Sequence, residues 1–144
     1  MNTNKKRSIC PVSSSLDIWG DKWSLLIIRD LMFSGECTYG DFLKSEEKIS
    51  TNILAARLKH LEQHDIIKKL EHPKSKSKVL YRLTNKGISL VPVIVEINIW
   101  WHSFNKDVSE KSELILKKVA NDKLAFIENT MNKLEQLNSN NEQK

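Results

Sequence analysis

The stretch that decides the fold is residues 50–83, STNILAARLKHLEQHDIIKKLEHPKSKSKVLYRL. Leu54, Leu58 and Leu61 follow at spacings of four and three, which place them in one narrow sector of a helix. Ser50 can cap the start of that helix. The opposite sector is small and polar, so this face could approach another surface closely. An ordinary amphipathic surface helix would show the same pattern, and the flanking sequence has to decide.

A basic hairpin is predicted directly after this helix. Residues 64–65 end the helix, residues 66–71 can form a short strand, and residues 79–83 alternate as a second strand. The polar turn between them, residues 72–78, contains three lysines at every second position: Lys74, Lys76 and Lys78. These lysines could meet phosphates, or they could form a solvated loop.

The residues before Ser50 predict three further helices. A serine in the run 13–15 can cap a short helix that Gly20 ends. Asp21 opens a second helix, which Ser34-Gly35 ends, and residues 39–44 form a short third one. The predicted fold class is therefore mainly α with a small β-hairpin wing (α+β), in the order of a winged helix-turn-helix domain.

Positive charge is concentrated in the same region. Of the chain's net charge of +5, residues 48–86 contribute +7, with ten Lys or Arg against three Asp or Glu. A concentrated basic patch is typical of proteins that bind polyanions. A lysine-rich solvated surface would give the same count.

The chain after the hairpin predicts a buried helix and an extension. Thr84 can cap a helix whose residues 88–104 are apolar nearly all round, with Pro92 expected to kink or restart it. A second subunit would cover this surface, or the next helix, predicted over 110–137, would fold back on it. Residues 138–144 are expected to fray, and residues 1–9 to form a flexible basic arm.

Composition excludes several classes of protein. The two cysteines cannot build a disulfide framework or a zinc site, and no signal peptide is recognisable. The apolar run Ile88–Trp101 is shorter than the roughly 20 residues of a membrane span. We expect a cytoplasmic protein without metal or cofactor. His60 and His64, one helical turn apart, lack the glutamate of a metalloprotease motif, and no other motif indicates an enzyme.

Several sequence blocks, in order, resemble the HxlR-type winged helix regulators of bacteria. The resemblance runs from Cys10 to about Trp101. Its blocks are Cys10-Pro11, IWGDKWSLLIIR (18–29), YGDF (39–42), ISTNIL (49–54), RLKHLE (57–62), YRLTNKG (81–87) and LVPV (90–93). The chain departs from the family's usual residues at Thr51, Asn52 and Ala56, and the usual proline-rich wing is replaced by lysines and serines.

The resemblance implies a homodimeric transcriptional regulator that binds double-stranded promoter DNA. With the residue patterns on either side, it divides the chain into a flexible basic arm 1–9, an HxlR-type domain 10–104, a helical dimerisation extension 105–137 and a frayed tail 138–144; the extension lies beyond the resemblance. Family members dimerise through the N-terminal helix and the helices after the wing. Some members sense oxidants or electrophiles through a cysteine at the position of Cys10.

The site residues predicted from these patterns form three groups. The DNA-binding group is Ser50, Thr51, Asn52, Ala55, Ala56, Arg57, Lys59, Lys74, Lys76 and Lys78. The dimerisation group is Leu16, Trp19, Val93, Ile97, Trp100, Trp101, Leu124, Ile127 and Met131. The sensing residue is Cys10, with Cys37 either its resolving partner or an inert loop residue. Cys10 could instead pack as a small apolar group, and the winged module could respond to a small ligand or bind proteins.

Overall fold

The structure is a computed structural model that describes residues 7–142 of the chain. Its elements follow in chain order: α1 (Pro11–Trp19), α2 (Lys22–Ser34), β1 (Glu36–Thr38), α3 (Tyr39–Leu43), α4 (Thr51–Gln63), β2 (Ile67–His72), β3 (Ser75–Leu83), α5 (Asn85–Ile88), α6 (Val91–Phe104), α7 (Glu110–Asn121) and α8 (Lys123–Glu142). The predicted fold class, mainly helical with a small β-hairpin, is confirmed.

Side-chain caps start the helices where the sequence predicts. Asp21 Oδ1 accepts a hydrogen bond from Ser24 N at 2.9 Å, and Ser50 Oγ accepts one from Ile53 N at 3.3 Å. The predicted start of α1 is wrong, because the helix begins at Pro11 with Cys10 at the N-cap. Proline suits the first helical turn, since its missing N–H would have no partner there, and its φ is already helical.

The sheet has three antiparallel strands in the order β1-β3-β2. The hairpin turn is shorter than predicted, because His72 pairs with Ser75 and only Pro73 and Lys74 lie between the strands. Strand β1, which the sequence reasoning missed, places Cys37 opposite Tyr81. Three residues between a helix and a turn are too few to show an alternating pattern.

The core lies between α2, α4 and the sheet. Leu54, Leu58 and Leu61 are buried there, as their spacing predicts. Phe42 of α3 packs edge-on against Tyr81 of β3, with ring centroids 6.1 Å apart. One face of α4 is thereby anchored to the domain, and its other face is left outward.

The apolar segment after the wing is two helices rather than one. α5 ends at Ile88 and α6 begins at Val91, with Pro92 in its first turn, so the predicted restart is confirmed. Asn85–Phe104 is long and apolar enough to cross a membrane, with a mean hydropathy of 1.2. The run Ile88–Trp101, on which the sequence-based expectation rests, is only part of this stretch, and the stretch is divided between α5 and α6. Ile88, Val91 and Ile94 nonetheless lie in the core, as in a helix of a globular domain.

The C-terminal extension folds back on its own chain. The single helix predicted over 110–137 is two helices, because the chain changes direction at Asp122, whose backbone is extended. α8 packs against α5, α6 and α7. It also continues past the predicted end at residue 137, and Asn138 is buried, donating a hydrogen bond to the Leu83 carbonyl at 2.9 Å. Residues 1–6 of the predicted arm lie outside the described residues.

Candidate nucleic-acid interface

The outer face of α4 presents most of the residues predicted to contact DNA. The exposed ones are Ser50, Thr51, Asn52, Ala55, Ala56 and Lys59. Because Ala55 and Ala56 have short side chains, a partner could approach the backbone of α4 along this face. Asn52 and Lys59 provide an amide with donor and acceptor groups and a cation. This combination can read base edges and bind phosphates.

The N-terminal end of α4 is held in place by two hydrogen bonds. The Ser50 hydroxyl caps the helix by accepting from Ile53 N. The Tyr39 hydroxyl donates to the Thr51 carbonyl at 2.9 Å, which joins α3 to the first turn of α4. The sequence reasoning missed this role of Tyr39, for which its place as the first residue of the family block YGDF was the only signal. A recognition helix needs such a fixed start, because its first turn contacts base edges.

Arg57 differs from the other predicted DNA contacts. Its side chain is only about a third exposed (35%), and Nη1 lies 3.5 Å from Asp21 Oδ2. Burial opposes ionisation of Asp21, but hydrogen bonds from Ser24 and the charge of Arg57 outweigh it, so the pKa of Asp21 lies below its ordinary value. Arg57 therefore also contacts the N-cap residue of α2, and its role in DNA binding stays a prediction.

The wing presents its lysines at the free end of the hairpin. Lys74 lies in the turn, and Lys76 and Lys78 lie on β3; all three are exposed. The hydrogen bond from the Thr38 backbone holds the pKa of Asp41 below its ordinary value, and Lys78 lowers it further. β3, which carries Lys78, contacts α3. The wing tip is a cluster of exposed cations beside the helices.

The basic region is smaller on the surface than in the sequence. Arg82 is buried, with Nη2 2.7 Å from Glu36 Oε2 and Nη1 donating to the Leu137 carbonyl at 3.0 Å. It links β1, β3 and α8. Lys69, which lies 3.6 Å from Glu62, and Lys86, which donates to the His64 carbonyl at 3.0 Å, also have partners within the fold. With Arg57 and Arg82, at least four of the ten basic residues counted in the sequence therefore have such contacts.

The predicted dimerisation residues divide into an exposed and a packed set. Those with large exposed fractions are Leu16 (47%), Ile97 (46%), Trp100 (64%), Trp101 (51%) and Leu124 (75%). Val93 is half-buried and lines a shallow groove on α6 with a volume of about 470 Å³, together with Ile97 and Trp100. In contrast, Trp19, Ile127 and Met131 pack against the chain's own core. Fold-back of α8 explains this packing for Ile127 and Met131, whereas Trp19 packs from the end of α1.

The two cysteines lie in opposite environments. Cys10 is exposed at the N-cap of α1. Cys37 is buried on β1, and burial together with the carboxylates of Asp30 and Asp41 raises the pKa of its thiol to about 12. Cys37 is therefore a protonated, unreactive thiol at neutral pH, and its predicted role as a resolving partner is not supported.

His60 makes a contact that the sequence reasoning missed. Its Nε2 lies 2.9 Å from the carbonyl oxygen of Ile18, at the end of α1. The sequence offered one signal for this contact. His60 follows Arg57 by three residues, which places both side chains on the same side of α4. His64, one turn further on, packs against His60 with ring centroids 4.6 Å apart and ring planes tilted by 60°.

Leucines anchor α4 to the core, its outer face is exposed, and a basic two-stranded wing follows it. These features define a winged helix-turn-helix transcriptional regulator. The HxlR-like helix-turn-helix family model matches residues 18–109. The chain belongs to this family, whose members are transcriptional regulators and not enzymes.

Three known proteins illustrate the similarity. The HTH-type transcriptional regulator YodB of Bacillus subtilis strain 168 is 36% identical over 98 residues, which cover 67% of this chain and 87% of YodB. The crystal structure of the transcription factor PA1607 has 41% identity and a TM-score of 0.64, and covers 75% of each chain. The redox regulator HypR in its oxidised form has 30% identity and a TM-score of 0.60, and covers 69% of this chain and all of HypR.

Proposed function

We propose that this transcriptional regulator binds double-stranded promoter DNA in the cytoplasm as a homodimer. The observation that carries the proposal is the outward face of α4, which combines Asn52 and Lys59 with two alanines and adjoins a wing with three exposed lysines. The buried leucines hold α4 rigidly, so this face can enter a major groove, and the wing lysines can meet phosphates.

In vitro selection tests sequence-specific binding directly. The purified protein is incubated with a library of random duplexes, and bound DNA is amplified and sequenced over several rounds. We expect enrichment of an inverted repeat whose half-sites are about 10 base pairs apart, or a multiple of that. A pool that stays random after selection would refute sequence-specific binding, even where the basic wing retains DNA without preference.

The homodimer is proposed from the exposed apolar surface of α6. Ile97, Trp100, Trp101 and Phe104 are all about half exposed or more, and the Trp100 and Phe104 rings lie 5.7 Å apart. Contiguous apolar patches of this kind are uncommon on monomers and mark interaction sites. Leu16 on α1 provides a further apolar contact. α8 covers another part of α6, so the alternative of covering the whole surface within one chain is not supported by these exposures.

Sedimentation at low micromolar concentration tests the dimer. We expect the mass of two chains for the wild-type protein and a shift towards one chain for Trp100→Ser. Glu135→Ser, an exposed change on α8, is the matched control and should leave the mass unchanged. A wild-type protein that sediments as a clean monomer would contradict the proposal.

A response to oxidants or electrophiles through Cys10 is the further part of the proposal. Its support is the exposure of Cys10 and the similarity to proteins described as the redox regulator HypR and as quinone-bound YodB of B. subtilis. The Cys10 thiolate would attack a ring carbon of a quinone, forming a carbon–sulfur bond, and the quinone oxygen that receives the displaced π electrons would take up a proton, which gives a hydroquinone thioether. We expect quinone treatment to change operator binding of the wild type and not of Cys10→Ser. Equal changes in the operator binding of the wild type and of Cys10→Ser would show that Cys10 has a structural role.

A second candidate is a response to a small ligand. The observation in its favour is a cavity of about 350 Å³ between α6 and α7, whose apolar lining includes Ile99, Leu116 and Val119. Ligands usually bind in apolar cavities of this size range. If the Cys10→Ser protein is still released from operator DNA by a non-electrophilic apolar compound, and Ala120→Trp abolishes that release, the cavity is the sensing site.

A further inference from the structure

Two side chains of α4 point at the junction between α1 and α2. Arg57 Nη1 lies 3.5 Å from the Asp21 carboxylate, and His60 Nε2 lies 2.9 Å from the Ile18 carbonyl. Because these residues are three apart on α4, both contacts come from one side of the helix. The recognition helix is therefore attached to the junction at two points.

The His60 contact satisfies a backbone group that α1 leaves free. The last carbonyls of a helix have no intrahelical donor, and they carry the negative end of the helix dipole. A carbonyl oxygen can only accept, so His60 donates through Nε2. The hydrogen bond is directional, and it fixes the end of α1 relative to α4.

The junction itself has little freedom to adjust. Gly20 N donates to the Leu16 carbonyl at 2.8 Å, and a Cβ at Gly20 would lie 2.5 Å from that oxygen. Asp21 at the same time caps α2. Hydrogen bonds thus connect the junction to both α1 and α2, and the Arg57 and His60 contacts connect it to α4.

The outer side of α1 belongs to the proposed dimer surface. Val12 and Leu16 are 67% and 47% exposed. In a two-fold dimer, the angle between α1 and α4 in each protomer determines how far apart the two recognition helices lie.

We infer that Arg57 and His60 form a joint between α1 and α4 that determines which half-site spacing the dimer prefers. This inference rests on the proposed function, since it requires a dimer that binds DNA. In this role the two side chains are positioning residues, which act on α4 through the Asp21 carboxylate and the Ile18 carbonyl.

The test measures affinity against half-site spacing. The half-site selected by the wild-type protein is built into inverted repeats whose centre-to-centre distance varies in single base-pair steps, and into a duplex with one half-site. Three variants are compared with the wild type. His60→Leu removes the donor, His60→Gln retains one, and His64→Leu makes the same change one turn further along α4.

We expect a sharp optimum for the wild type, for His60→Gln and for His64→Leu. Loss of one hydrogen bond should reduce the affinity of His60→Leu at that optimum about three- to tenfold. Its affinity for neighbouring spacings and for one half-site should stay unchanged, so its preference becomes flatter. If His60→Leu fails to fold by circular dichroism, Arg57→Gln replaces it with the same expectation.

Two results would contradict the proposed role of this joint in half-site spacing. One is a His60→Leu protein with the wild-type spacing profile. The other is an equal loss on all duplexes, including one half-site, which would indicate a general effect on α4. Failure of the wild-type protein to select any half-site would instead refute the proposed function on which the joint rests.

Discussion

At the scale of single residues, Asn52 and Arg57 show why position on one helix decides a role. Asn52 is exposed on the outer face of α4, whereas Arg57 turns towards Asp21. The leucine spacing correctly predicts the buried side of the helix. It could not show the partner of Arg57, because Asp21 is 36 residues away and comes close only through tertiary packing.

Replacing Asn52 by Ala tests base reading. An asparagine that makes two hydrogen bonds to adenine contributes about 1–3 kcal/mol of discrimination. We expect Asn52→Ala to lose affinity for the selected operator by about tenfold to a hundredfold and to keep its affinity for random DNA. Gln63→Ala, exposed at the other end of α4, is the control. Equal losses on operator and random DNA would exclude a base-reading role.

The two cysteines should differ in reactivity by their surroundings alone. Alkylation requires the thiolate, and burial keeps the pKa of Cys37 at about 12, whereas Cys10 is exposed. We expect iodoacetamide at pH 8 to modify Cys10 and leave Cys37 unmodified until denaturant is added, as followed by mass spectrometry of peptides. Rapid labelling of Cys37 in the folded protein would contradict the position of β1.

At the scale of elements, caps and prolines were predictable, and long-range pairings were not. Asp21, Ser50 and Thr84 cap helices where the sequence places them. Strand β1 has only three residues and exists because β3 pairs with it. The break at Asp122 is equally hidden, since the spacing of the apolar residues continues across it. The exposure of the outer face of α4 was predictable, whereas the Arg57, His60 and Tyr39 contacts were not.

The wing should contribute charge without sequence preference. Replacing Lys74, Lys76 and Lys78 together by Gln should weaken binding to operator and random DNA alike. The slope of log affinity against log salt should become shallower by about 0.9 for each phosphate that the wing no longer neutralises. The control replaces three exposed lysines of the C-terminal helices, Lys117, Lys118 and Lys133, by Gln. An unchanged salt slope in the wing variant would show that the wing tip lies in solvent and contacts no phosphates.

Fold-back of α8 predicts that the extension stabilises the winged domain. Leu134 is 6% exposed in the core, whereas Leu114 on α7 is 61% exposed. Leu134→Ala should lower the free energy of unfolding by about 2–5 kcal/mol. Leu114→Ala should change it by less than about 0.5 kcal/mol, as is usual for surface positions. Urea unfolding measures both, and equal values would show that α8 is not docked on this core.

At the scale of the whole molecule, two surfaces on different elements have to work together. One is the outer face of α4 with the wing, and the other is the apolar surface of α1 and α6. Arg57 and His60 join the helices that carry them. Dimerisation and DNA recognition should therefore be coupled, and a dimer-weakening change such as Trp100→Ser should also weaken operator binding.

Hydroxyl-radical footprinting of the wild-type protein on its selected duplex, with the mass of the complex measured by sedimentation, tests the central claim most directly. The account predicts two chains per duplex and two protected regions related by two-fold symmetry, about 10 base pairs apart or a multiple of that. Protection should persist in excess random DNA. One chain per duplex, or protection that random DNA removes, would contradict it.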